Sequence, residues 1–182
     1  MNAPFRVVAT ELLLHSHVFN VERRTVEQGA TVFERDVVTH RGAVAILARN
    51  ERNEFGFLRQ YRAPFDTFIL EVPAGTMDVD TEDELATAQR ELREEMGCEA
   101  ATWRRLGRFT VSPGWTNQVM TIFEASDLSM VERAPEGPEE ISSTVLWLPM
   151  SQIKETLRQE STIDYTLAVA LHCVFGSFFD LD

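Results

Sequence analysis

The chain has 182 residues, is 44% hydrophobic and 25% charged, and carries a formal net charge of −12 from 29 acids and 17 bases. That length and mix suit a globular protein with a real core, as one domain or one domain with an arm. The acidity excludes a general nucleic-acid binder, which displaces phosphate counterions with basic surface. A nucleotide remains possible as a small ligand, because a divalent cation can bridge two acidic partners.

Two cysteines, Cys98 and Cys173, are too few for a disulfide framework, and their apolar neighbours predict buried, reduced thiols. No secretory leader is read in MNAPFRVVAT. The apolar run LAVALHCVFGSFF from Leu167 is shorter than the roughly 20 residues of a bilayer span. A cytoplasmic protein with no membrane partner is expected.

The first 40 residues read as short strands, TVFERDVVTH among them. GAVAILA, from Gly42 to Ala48, is apolar on both faces and predicts a central strand. ERNE reads as a turn and FGFLRQYR as a returning strand, so the pair predicts a hairpin. Phe68 to Val72 reads as a further strand, ending at Pro73-Ala74-Gly75.

Thr81 and Glu84 have the spacing of a capping box, which places the N-cap of the clearest helix at Thr81. Leu85, Ala88, Leu92 and Met96 recur near the helical period as its buried stripe, and Gly97 sits where a glycine stop belongs. Strands are predicted over Trp103 to Val111, Gln118 to Ala125 and Thr144 to Leu148, with a Pro-, Gly- and Glu-rich loop from Glu132 to Glu140. A helix begins near Met150, and another runs from Ile163 to Phe175. This order implies a mixed sheet sandwiched by helices.

The acid is not evenly spread. Residues 78–99 hold nine acids and two bases, net −7, and residues 132–140 hold four acids and one base, net −3. In the first segment Glu91, Glu94 and Glu95 stand at i, i+3 and i+4, on one helix face. Glutamates often merely coat a solvated face. Here the cluster borders the apolar stripe and the stop glycine, and gathered hard oxygens are what Mg2+ or Mn2+ requires. The histidines make no comparable set: His15 and His17 share a strand face without a third ligand, and His172 falls in an apolar helix, which predicts a core position.

Gly75, Glu82 and the run Arg90-Glu91-Leu92-Arg93-Glu94-Glu95-Met96-Gly97-Cys98 resemble the Nudix box, G-x5-E-x7-R-E-U-x-E-E-x-G-U. The chain departs from it in two places: six residues separate Gly75 from Glu82, and Cys98 stands for a bulky aliphatic residue. Ser112-Pro113-Gly114, Gln60-Tyr61-Arg62, Glu71-Val72-Pro73-Ala74-Gly75, Arg35, Gly42 and Ile163-Asp164 are similar to the ADP-ribose pyrophosphatase group, while Gln118 stands where that group commonly has glutamate.

The resemblance implies a Nudix-type α/β/α sandwich with a mixed β-sheet over residues 41–182, preceded by an N-terminal β-strand region, residues 1–40, open to exchange in a homodimer. It implies Mg2+-dependent hydrolysis of ADP-ribose to AMP and ribose 5-phosphate, with Mn2+ as a possible substitute. The alternatives are another nucleoside diphosphate sugar or dinucleotide as substrate, or a non-catalytic nucleotide sensor, against which the intact glutamate set speaks. The implied metal ligands are Glu91, Glu95, the carbonyl of Ala74, and Glu94 for a second ion or its water. Arg90 and Glu82 are expected as a structural ion pair. The implied base lies on a later loop, where Glu136, Glu139 and Glu140 are available; Glu139 is placed first and Glu136 second. Arg62 is expected at a phosphate or the terminal ribose, Arg35 across a dimer interface, and Ser112 and Gly114 along the pocket.

Overall fold

A computed structural model describes residues 4–176 of the chain. They fall into two compact units, one within Met1–Gly42 and Phe109–Met120, the other within Ala43–Arg108 and Thr121–Asp182.

The first unit is built on an antiparallel meander of β1 (Arg6–His15), β2 (Phe19–Gln28) and β3 (Thr31–His40). These strands are ten residues each, and β3 coincides with the expected strand TVFERDVVTH. β1 is exposed along its whole length although it carries Val7, Val8, Leu12, Leu13 and Leu14. The Ser112 carbonyl closes a turn by accepting from the amides of Trp115 and Thr116, both at 3.1 Å, and the Val38 amide donates to the Trp115 carbonyl at 2.8 Å.

Two further sheets fall largely in the second unit. One has the order β7-β4-β9-β8: β4 (Ala43–Ala48), β7 (Ala74–Thr76), β8 (Cys98–Thr110) and β9 (Val119–Met130). The other, antiparallel, has the order β10-β5-β6: β5 (Glu54–Arg62), β6 (Thr67–Glu71) and β10 (Thr144–Pro149). Every residue of β4 is buried, as its two apolar faces require; each of its larger aliphatic side chains stabilises the fold by roughly 1.5–3 kcal/mol on burial.

The expected hairpin of β4 and β5 does not form. The turn between them is tight, with Asn50 Oδ1 accepting from the amides of Arg52 and Glu54 at 2.9 and 3.0 Å. The two segments then part into different sheets, linked by the single bridge Arg49↔Phe55. β4 pairs instead with β7 and β9, whose partnership no local signal announces.

Helix α1 (Glu84–Met96) lies against β4, β5 and β7. Its N-cap is Asp83, not Thr81: Asp83 Oδ1 accepts from the amides of Leu85 and Ala86 at 3.0 and 2.8 Å. One aspartate here satisfies two orphan amides, which a capping box would have shared between two side chains. Ala88, Leu92 and Met96 join the core with Val44, Ile46, Leu58 and Phe123, whereas Leu85 is exposed.

Gly97 ends α1 at φ +65°, its amide donating to the Arg93 carbonyl at 3.0 Å. β8 follows at once from Cys98, five residues before the expected Trp103. Cys98 is buried and unpaired; Cys173, expected buried, is only half-buried. The 132–140 segment is not all loop, since α2 (Gly137–Ile141) makes one turn of helix in it. α3 (Met150–Arg158) and α4 (Tyr165–Phe175) follow. His172, expected in the core, is exposed in the last turn of α4. Among the described residues no helix is long and apolar enough to cross a membrane; the end of the LAVALHCVFGSFF run, residues 177–179, lies outside them.

Candidate active site

The buried face of α1 carries acid as well as hydrocarbon. Glu91 and Glu95, four residues apart, are 7% and 2% exposed. Burial disfavours a charged carboxylate. It pushes Glu91 up to about 7, with repulsion from Glu94 adding to the shift, and Glu95 up to about 8, with repulsion from Glu91 adding. β7 supplies the wall they face. Its register with β4, Val44↔Gly75 and Ala45↔Ala74, brings its backbone onto the helix. The Ala74 amide donates to Glu95 Oε2 at 2.8 Å. A Cβ on Gly75 would stand 1.9 Å from Glu91 Oε1, so only a glycine leaves room for that carboxylate.

Arg90 gathers the rest of the cluster. Its Nη1 lies 2.7 Å from Glu91 Oε1 and 2.9 Å from Glu94 Oε2, its Nε 3.2 Å from Glu82 Oε2 and its Nη2 3.4 Å from Asp78 Oδ1. Burial works against its charge, but Glu91, Glu82 and Glu94 outweigh it and its pKa is raised. The Arg90–Glu82 ion pair is thus present. Glu82 lies outside α1, ahead of the Asp83 cap, and turns back to Arg90 over eight residues. Glu94 is raised by burial despite its bond to Arg90.

Among the described residues no three Asp, Glu, His or Cys side chains already stand in coordination positions around a cation. Glu91 and Glu94 face Arg90, and Glu95 faces the Ala74 amide. The donor set nevertheless fits a hard divalent ion. It offers carboxylate oxygens, held near neutral pKa by burial and by one another, beside a backbone that a glycine keeps close.

Two of the loop glutamates, Glu136 and Glu140, are felt by the α1 carboxylates. Glu140 raises Glu91, Glu94 and Glu95 electrostatically, Glu136 raises Glu94, and the charge of Glu139 is felt by Arg62 and Tyr61. The Glu136 amide donates to Glu140 Oε2 at 2.6 Å, closing the turn of α2. Glu140, available but placed behind Glu139 and Glu136 in the sequence, is thus the loop carboxylate felt by all three α1 glutamates.

Arg62 does not stand open to a ligand along its whole guanidinium. Its Nε and Nη2 grip Glu71 at 2.9 and 2.6 Å across the β5–β6 pairing. The Glu71 bond, ahead of the burial that opposes it, raises Arg62. Asp164, pushed up to about 6 by burial, caps α4 by accepting from the Leu167 amide at 2.8 Å, and feels both Glu71 and Arg62. Sequence reasoning did not see Glu71 as the partner of Arg62, because cross-strand pairing is not written locally. Arg35, Ser112 and Gly114 belong to the first unit. There the Arg35 guanidinium lies 4.6 Å over the Phe33 ring and donates to the Glu34 carbonyl, Ser112 closes its turn, and a Cβ on Gly114 would meet open space.

Sequence reasoning also missed Arg133. Its guanidinium donates to the carbonyl of Glu95 on α1 and, across the loop, to the Glu140 carbonyl at 3.0 Å and to the Ser143 hydroxyl. The available signal was its place as the one base in an acidic loop.

Comparison with known proteins places this site in context. Residues 39–167 match the NUDIX domain. The chain is 33% identical to an ADP-ribose pyrophosphatase of Mycobacterium tuberculosis, over 96% of this chain and 86% of that protein. It is 29% identical to a methanol dehydrogenase activator of Bacillus methanolicus, over 91% and 90% respectively. The fold is shared with a solved ADP compounds hydrolase at a TM-score of 0.79 and 24% identity, covering 93% of this chain and 91% of that one.

Proposed function

The chain belongs to the NUDIX domain family and is a Nudix pyrophosphohydrolase acting on nucleoside diphosphate compounds, and on that premise we propose that it hydrolyses ADP-ribose with Mg2+ to AMP and ribose 5-phosphate. Mn2+ substitutes for Mg2+ in this reading, and the reaction is cytoplasmic. The observation that carries it is the pair of buried carboxylates, Glu91 and Glu95, packed against the glycine-bearing strand β7.

Glu91, Glu95 and the Ala74 carbonyl would hold the metal, and Glu94 would hold a second ion or its water. When bound, the ion offsets the anionic charge of the pyrophosphate and lowers the pKa of water. Burial keeps competing water from Glu91 and Glu95, and Arg90 fixes Glu91 and Glu94 in rotamer and charge. Glu139, with Glu136 second, removes a proton from the attacking water as its oxygen bonds to phosphorus and the bridging P–O bond breaks. Glu71 occupies one edge of the Arg62 guanidinium; the Nη1 end serves a phosphate or the terminal ribose.

Arg35, Ser112 and Gly114 are substrate-binding residues in this reading. Two copies of the chain form a homodimer, with residues 1–40 exchanged and residues 41–182 as the catalytic domain. The exposed apolar side chains of β1 support that reading, since a second copy would cover them. Gln118, in place of the glutamate of the ADP-ribose pyrophosphatase group, favours a second reading in which the substrate is another nucleoside diphosphate sugar or a dinucleotide. A panel of ADP-ribose, other nucleoside diphosphate sugars and dinucleotides, incubated with Mg2+ and scored by product identity, tests both. AMP and ribose 5-phosphate as the main products support the first reading. Preferred cleavage of another member supports the second, and binding without cleavage of any member would indicate a sensor.

A further inference from the structure

The proposed catalytic carboxylates lie on two elements, α1 and the segment that carries α2, and a site built this way works only if the two hold a fixed distance. A helix end leaves its last carbonyls without intrahelical partners. Gly97 satisfies those of Arg93 and Leu92, and the carbonyl of Glu95, in the same last turn, accepts from Arg133 Nε. The same guanidinium reaches the other element. Its Nη2 donates to the Glu140 carbonyl at 3.0 Å and to Ser143 Oγ, and its Nη1 to the Ser143 carbonyl at 3.4 Å. The Ser143 hydroxyl in turn donates to the Glu140 carbonyl at 2.8 Å.

The backbones are brought together at the same place. The Val131 amide donates to the Gly97 carbonyl at 2.9 Å, and a Cβ on Gly97 would stand 2.9 Å from the Val131 carbonyl oxygen and 3.3 Å from Arg133 Cβ. A guanidinium has five donors in a rigid plane and can bond carbonyls on two elements at once; an ammonium lacks that planar fork. Its charge also suits the negative end of α1.

We infer that Arg133 is a positioning residue, a strut that sets the loop carrying Glu136, Glu139 and Glu140 at its working distance from Glu91, Glu94 and Glu95. The inference rests on the proposed hydrolase site. Arg133 touches no substrate. It acts by fixing Glu140 through that residue's own carbonyl, and with it the neighbouring Glu139.

The test uses full-length Arg133→Met and Arg133→Lys with ADP-ribose and Mg2+, and Arg93→Met as a comparator on the exposed side of α1. Misplacing a catalytic group by about 1 Å can cost about 10²-fold, so kcat is expected to fall by that order in Arg133→Met. KM should stay within about threefold, because uniform substrate binding is untouched. Arg133→Lys should lose kcat too, which covers the case in which Arg133→Met fails to fold. Added methylguanidinium should restore part of the lost turnover in Arg133→Met, and Arg93→Met should match the wild type. Backbone amides of Glu136, Ser142 and Ser143 should exchange hydrogen faster in both Arg133 variants.

Wild-type kcat in both Arg133 variants would overturn the inference. So would a lower melting temperature without a change in kcat or in amide exchange. If the wild type does not cleave ADP-ribose, the functional reading fails on its own, and amide exchange still decides whether Arg133 holds the loop.

Discussion

Two acidic segments account for most of the chain's charge, and they use it in opposite ways. In α1 the acid is buried: Glu91 and Glu95 are pressed between the core and β7, their pKa values are driven upward, and Arg90 answers several carboxylates at once. In the 132–140 segment the acid is more open: Glu136 is exposed, Glu139 and Glu140 are half-buried, and α2 is a single turn without a side-chain cap. Equal formal charges therefore acquire different chemistry. Buried carboxylates repel one another and gain most from a cation, whereas an open carboxylate on a short turn can meet water and accept its proton.

The sharpest way to break this contrast is Glu95→Gln. It keeps the shape of the side chain and removes the charge. Turnover of ADP-ribose with Mg2+ should fall by about 10³-fold, the rate equivalent of several kcal/mol, while circular dichroism reports an unchanged fold. Unaltered turnover at saturating Mg2+ would remove Glu95 from the metal site. Glu139→Gln should lower kcat by about 10²-fold, in the range of a lost general base, with the Mg2+ concentration for half-maximal rate unchanged. Should Glu136→Gln or Glu140→Gln alone produce that loss, the base lies at that residue instead.

Gly75→Ala acts on the wall rather than on the acid. Its Cβ would collide with the Glu91 carboxylate, and overpacking of this kind costs about 1–3 kcal/mol. A lower denaturant midpoint together with reduced turnover is expected.

The smallest effect is on pH. Glu91 and Glu95 have folded pKa values of about 7 and 8 against a usual 4.5, so between those limits the folded protein holds more protons than the unfolded chain. The stability of the metal-free protein must then fall as pH rises through that window. Thermal melts in a chelating buffer should show the decline between pH of about 5 and 8.5, and Glu95→Gln should flatten it. A melting temperature that rises with pH there would contradict the assigned burial.

The sequence made α1 legible because its signals are local: a helical stripe, a stop glycine and three carboxylates at i, i+3 and i+4 all lie within one segment. It misplaced the cap because Thr81 and Asp83 are both competent caps, and only the fold shows that Asp83 takes the amides of Leu85 and Ala86. The central position of β4 was legible from its two apolar faces. Its partners were not, since pairing with β7 and β9 rather than β5 is settled by packing far along the chain. The Glu95–Ala74, Arg62–Glu71 and Arg133–Glu95 bonds escaped for the same reason: each joins residues that only the completed fold brings together.

The contrast between the two acidic segments is tested most directly by Mn2+ binding, followed by electron paramagnetic resonance in the absence of substrate. Wild type and Glu139→Gln should bind the ion alike although only the wild type turns over efficiently, and Glu95→Gln should lose the tight site. Retained tight binding in Glu95→Gln, or its loss in Glu139→Gln, would contradict the division of labour between the buried helix and the open loop.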